Sequence, residues 1–142
     1  MTISDSSPGV TIHYTTNGTT PTSSSPVYTA SVRVSTTTAI KAIAVGGGLS
    51  PSFVGSATYL LTAATPTFRP VGGTYPTAQS VTISDTSPSV TIHYTTNGTT
   101  PTSSSPVYTG LIRVSTTTTI KAMAAGGGFA ASAVATATYT IQ

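Results

Sequence analysis

The sequence predicts an all-β protein of two tandem β-sandwich domains, the first lacking its opening strand, and three observations predict it. The first is composition: 33 Thr and 20 Ser fill more than a third of the 142 residues, and β-branched Thr favours strands over helices. The second is punctuation, since 13 Gly and 10 Pro interrupt the chain at the short intervals that turns between short strands require. The third is repetition. Residues 1–62 align without a gap on residues 81–142, 44 of the 62 pairs are identical, and Thr11–Thr29 recurs letter for letter as Thr91–Thr109.

The elements follow in order along the second copy. Ser80–Ser84 alternates polar and apolar residues and runs into the turn cluster Asp85-Thr86-Ser87-Pro88. Val90–Thr95 sets Val90, Ile92 and Tyr94 on one face and Thr91, His93 and Thr95 on the other. The alternation therefore predicts a solvent-facing His93, and His13 likewise in the first copy. Asn97-Gly98 predicts a tight type I′ hairpin, because both residues tolerate positive φ. Pro106–Thr109 and Leu111–Val114 read as short edge strands. Thr118–Ala124 points Ile120 and Ala122 inward and Lys121 outward. Gly126-Gly127-Gly128 turns the chain, and Ser132–Ile141 returns as the last strand, with Ala135, Ala137, Tyr139 and Ile141 toward the core. Short strands with turns every 8–12 residues or so give the pattern of an immunoglobulin-like sandwich. No stretch carries the apolar period of a helix.

The repeat also sets the expected domains. The unit is about 80 residues long, and Ala63–Ser80 opens the second copy without a counterpart in the first. The expected division is an N-terminally truncated repeat at 1–62 and a complete repeat at 63–142, in which 63–80 form a linker and first strand with Phe68 inward. Residues around Leu61–Ala64 are the linker, short enough to be semi-rigid. Met1 stands where the second copy has Val81, so the chain reads as part of a longer array.

Composition excludes several classes of function. Five Lys and Arg against two acids leave a net charge of +3. Arg33, Lys41, Arg69, Arg113 and Lys121 are scattered singly, whereas nucleic-acid binding calls for clustered cations, so no nucleic acid is expected. No apolar run approaches the roughly 18 residues of a membrane helix, and no membrane association is expected. No basic and apolar leader opens the chain, which places any signal peptide outside this fragment. The absence of Cys removes disulfides, thiolate nucleophiles and Cys-based zinc sites.

The remaining chemistry is sparse. Glycoside hydrolysis needs two carboxylates flanking one bond, but Asp5 and Asp85 are the only acids and occupy the same place in each copy. No G-x-S-x-G elbow accompanies His13 or His93, so neither nucleophilic catalysis nor a cofactor is expected. Asp85 and loop carbonyls could hold a hard cation in the turn, but one carboxylate per repeat predicts weak affinity, and no metal site is expected. Asn17-Gly18-Thr19 and Asn97-Gly98-Thr99 satisfy the N-glycosylation pattern, although turn formation explains them better. The chain is not expected to be an enzyme.

Two stretches carry a resemblance to a known family: I-x-Y-T-T-x-G-x-x-P-T at Ile12–Thr22 and Ile92–Thr102, and S-P-V-Y-T at Ser25–Thr29 and Ser105–Thr109. With them the chain resembles the chitobiase/β-hexosaminidase C-terminal-like domain, an immunoglobulin-like module also found among fibronectin-type-III-associated domains. It departs from that pattern at Asn17 and Asn97, where Asp is usual. The resemblance implies a non-catalytic, extracellular or cell-surface module of bacterial origin, often set beside a catalytic domain in the parent chain.

On that basis the expected role is an accessory module of a carbohydrate-active enzyme, binding polysaccharide, spacing the catalytic domain, or both. Sugars stack on aromatic faces. With no Trp, the stacking candidates are Tyr75, Tyr28, Tyr108 and Phe129, although packing competes for each, and Tyr14, Tyr59, Tyr94 and Tyr139 fall on apolar faces. The alternative is a structural repeat of a surface adhesin, stalk or filament, self-associating through an open strand edge.

Overall fold

A computed structural model covers every residue from Met1 to Gln142. All of its regular elements are strands: β1 (Val10–Thr15), β2 (Thr38–Gly46), β3 (Gly55–Tyr59), β4 (Thr67–Arg69), β5 (Gly73–Tyr75), β6 (Gln79–Ser84), β7 (Val90–Thr95), β8 (Ile112–Val114), β9 (Thr118–Gly126) and β10 (Ala135–Ile141). The chain folds as two units, Met1–Leu61 and Thr62–Gln142.

The second unit is a sandwich of two sheets, with strand orders β5-β10-β9-β7 and β4-β6-β8. All neighbours run antiparallel except β5, which joins β10 in parallel with Tyr139 opposite Gly73. Period-two alternation decides what is buried. Phe68, Val81, Ile83 and Val114 from one sheet meet Ile120, Ala122, Ala137 and Tyr139 from the other in a single core. Phe68 does point inward on the first strand. That segment holds a second strand as well, β5, whose Tyr75 packs on the core. The triple glycine turns as the sequence predicts. Gly127 has φ +61° and passes so close to Pro88 that a Cβ would lie 2.5 Å from its carbonyl oxygen, so only glycine fits.

The first unit repeats one sheet and leaves the other unmade. Its sheet β1-β2-β3 keeps the register of its counterpart, with His13 opposite Ile43 as His93 is opposite Met123. The stretch equivalent to β6 forms no strand; Met1 and Val32 exchange two backbone bonds of 3.0 Å and the pairing goes no further. Nothing in this unit corresponds to Thr62–Ser80. Identical side chains consequently lose their cover: Tyr139 is 0% exposed but Tyr59 only half-buried, and Ala137 is buried while Ala57 is exposed.

Two local expectations are corrected. His13 and His93 do not face solvent; they are 9% and 8% exposed. Each lies opposite the core on its strand, but the returning loop folds over that outer face and buries the ring. The Asn-Gly pairs do not make type I′ hairpins either. Gly98 has φ 75° but Asn97 stays at negative φ, whereas a type I′ turn needs both positive. The Asn97 side chain instead holds the backbone two residues on, the alternative turn chemistry open to Asn. Strand β7 accordingly pairs with β9, and its other edge is met only by an isolated bridge between His93 and Val107.

Candidate functional site

The segment after β7 is built identically in both units, and its hydrogen bonds shape a groove. His93 Nδ1 lies 2.9 Å from the Ser105 carbonyl oxygen. A carbonyl only accepts, so this nitrogen carries the proton and donates. The Ser105 N–H donates to the Thr102 carbonyl at 3.0 Å, and the Thr102 N–H to Ser105 Oγ at 2.9 Å, closing a tight turn above the ring. The chain then runs back along β7: the Tyr94 N–H donates to Pro106 O at 3.0 Å and the Tyr108 N–H to Ile92 O at 2.8 Å. The Val107 side chain projects outward, and Tyr108 turns in against Tyr94, edge to face, with ring centroids 6.2 Å apart at 86°.

At the other end Asn97 Oδ1 accepts the Thr99 N–H at 3.1 Å and the Thr99 hydroxyl at 2.7 Å, while the Thr95 hydroxyl donates to Thr99 O at 2.6 Å. The Gly98 N–H donates to Thr119 O at 3.1 Å and ties this loop to β9. What remains between loop and strand is an open groove of about 260 Å³ lined by Tyr94, Thr95, Thr96, Asn97 and Pro106. The first unit has its duplicate, about 250 Å³ and lined by Tyr14, Thr15, Thr16, Asn17 and Pro26. No ionisable side chain other than tyrosine lines either one. Each offers one aromatic ring, two threonine hydroxyls, a proline face and the Asn NH₂, which no protein group accepts from.

The stacking candidates fall in different places. Tyr28 and Tyr108 support the grooves from below through Tyr14 and Tyr94. Tyr75 is half-buried; its ring stacks on Tyr139 at 6.2 Å and 29°, and its hydroxyl donates to Val71 O at 2.7 Å. Phe129 closes the glycine turn, its N–H donating to Gly126 O at 3.0 Å. Tyr75 and Phe129 line neither groove. Tyr14 and Tyr94 do, and strand alternation hides them because it assigns them to the core. The letter-for-letter recurrence of Thr11–Thr29 is the signal that points to this stretch.

The acids serve turns. Asp5 Oδ1 accepts the Ser7 N–H at 2.7 Å and Asp85 Oδ1 the Ser87 N–H at 2.6 Å. The bond from Ser7 holds the Asp5 carboxyl below the ordinary aspartate value. Tyr139 is shifted the other way, its phenol raised by burial and secondarily by Tyr75. No three His, Asp, Glu or Cys side chains gather as metal ligands. A family model described as the chitobiase/beta-hexosaminidase C-terminal domain matches residues 1–56 and 70–138. No curated protein matches the chain.

Proposed function

The chain belongs to the chitobiase/beta-hexosaminidase C-terminal domain family, and from that premise we propose that it is a non-catalytic accessory module of a carbohydrate-active enzyme, holding neutral polysaccharide at its two equivalent grooves. The observation that carries the reading is the duplicated groove itself. A pyranose presents apolar C–H faces and a ring of hydroxyls. Tyr94 and Pro106 offer apolar surface to the former, and Thr95, Thr96 and the Asn97 NH₂ offer donors and acceptors to the latter. The absence of Lys, Arg, Asp and Glu from the lining favours a neutral sugar over a uronate or a phosphorylated one.

One such groove is shallow, and a single site of this kind supports a Kd on the order of 1 mM, about −4 kcal/mol. Two sites on one chain raise retention on a polymer through effective concentration without any new contact. That suits a module keeping a catalytic domain near an insoluble substrate, outside the cell or at its surface.

The test is depletion of the intact chain from solution by cellulose, chitin, xylan and mixed-linkage glucan, beside a T16E/T96E variant. Both threonines are exposed, so the substitutions change the grooves and spare the cores. Saturable retention on at least one polysaccharide, lost in the variant, is the expected result. Failure to be retained on any of them refutes glycan binding.

A further inference from the structure

The asparagine of each Asn-Gly pair is not explained by the turn it makes. Asn17 and Asn97 stay at negative φ, so the left-handed tolerance that suits Asn-Gly to a hairpin is not used by either. Asn97 Oδ1 accepts the Thr99 N–H at 3.1 Å and the Thr99 hydroxyl at 2.7 Å, and an aspartate oxygen accepts such bonds equally well. Asn17 stands identically, with the Thr19 N–H at 3.1 Å and the Thr19 hydroxyl at 2.6 Å. What asparagine adds over aspartate at these positions is the NH₂ alone.

The bonds to Oδ1 fix where that NH₂ points. A backbone N–H only donates, so the amide oxygen faces the threonine and the nitrogen faces away; a flipped amide would set donor against donor. Both asparagines are exposed, their nitrogens unclaimed by any protein acceptor. Two donors on the oxygen also draw electron density from the nitrogen through the amide, which makes its N–H more acidic.

We propose that Asn17 and Asn97 are acceptor sites for N-linked glycosylation, each taking a sugar from a glycosyl diphosphate. Asn17-Gly18-Thr19 and Asn97-Gly98-Thr99 have the acceptor pattern, and the fold presents both at the surface with the threonine hydroxyl already on the amide oxygen. In the transfer the Nδ2–C1 bond forms as the C1–O bond to the diphosphate breaks. The diphosphate leaves with the bonding pair, and the nitrogen gives one proton to a base of the transferase. The product suits this chain. Five basic and two acidic side chains leave little charge on its surface, and an attached glycan supplies neutral, hydrated bulk in its place.

The inference goes beyond the polysaccharide reading and bears on it. Asn17 and Asn97 each line a groove, so a sugar attached there occupies the ground that a free polymer would use. The two readings are measured separately, modification as mass and polysaccharide holding as retention.

The experiment gives the folded, unmodified chain to two purified N-glycosyltransferases, one using a nucleoside-diphosphate hexose and the other a lipid-diphosphate oligosaccharide. Intact mass and glycopeptide mapping read the outcome. Asn17, Asn97, Thr19 and Thr99 are all exposed, so variants at these positions change the turns and spare the cores. The expected result, with at least one of the enzymes, is one glycan on Asn17 and one on Asn97, complete loss of the mass gain in N17Q/N97Q and T19V/T99V, and its return in T19S/T99S. Whichever enzyme succeeds identifies the sugar source. A chain left unmodified by both enzymes overturns the proposal. So does modification that requires prior unfolding in urea, or equal modification of T19V/T99V.

Discussion

Ile3 and Ile83 occupy the same repeat position, are the same residue, and sit in different environments; truncating each to alanine separates burial from sequence. Ile83 is 4% exposed on β6, opposite Phe68. Ile83→Ala removes three carbon groups at about 0.8 kcal/mol each, and a cavity that neighbouring strands cannot collapse brings the loss to about 3 kcal/mol. Ile3 is half-buried and already borders open space. Ile3→Ala forfeits roughly half of the transfer term and creates no new cavity, a loss of about 1 kcal/mol. Hydrogen exchange with mass detection measures both, using fragments from Ile40–Leu61 and Ile120–Gln142, which differ in sequence where Thr11–Thr29 and Thr91–Thr109 do not. Equal losses at the two positions would refute the argument that the first unit lacks a closed core.

Three further predictions rest on single groups. Burial raises the Tyr139 phenol above its ordinary value of 10.0, so its contribution to stability is complete below pH 10 and is lost as pH rises through the folded-state value; urea midpoints of the second unit should fall above pH 10, and Tyr139→Phe should flatten that decline. His93→Leu leaves the Ser105 carbonyl without its donor and should cost about 1–3 kcal/mol, with faster exchange of the Tyr94 and Tyr108 amides as the loop lifts; unchanged exchange would mean the histidine does not hold the loop. Gly127→Ala meets both a positive φ and the Pro88 carbonyl and should cost at least about 2 kcal/mol, whereas Gly48→Ala, with φ +71° and nothing within 4 Å, should cost about 1 kcal/mol; thermal melts that rank them the other way contradict the turn geometry.

The parts of the fold that sequence alone made legible are those that depend on alternation. Ile120, Ala122, Ala137 and Tyr139 face the core because side chains in a strand point to alternate sides. Phe68 was legible as the inward residue of the opening segment for the same reason. Local pattern misleads where a contact distant in sequence competes with it. His93 alternates outward, yet twelve residues later Ser105 arrives to cover it. Asn97-Gly98 has hairpin composition, but the Asn side chain forms its own turn and Gly98 is drawn to Thr119 on β9. The groove was half legible: the exact repeat marks the stretch, while the inward half of the alternation conceals Tyr94.

By itself the sequence determined the strand-rich composition, the glycine turns, the duplicated unit and its family, because each of these is written in neighbouring residues or in comparison of the chain with itself. Tertiary structure alone decided which copies of the same side chain are covered. Tyr59 and Tyr139, or Ala57 and Ala137, are identical letters at matching places in the repeat. Only the presence of Thr67–Tyr75 across one sheet and its absence across the other makes one member of each pair core and its twin the wall of an open groove, because burial belongs to what packs against a residue and not to the residue.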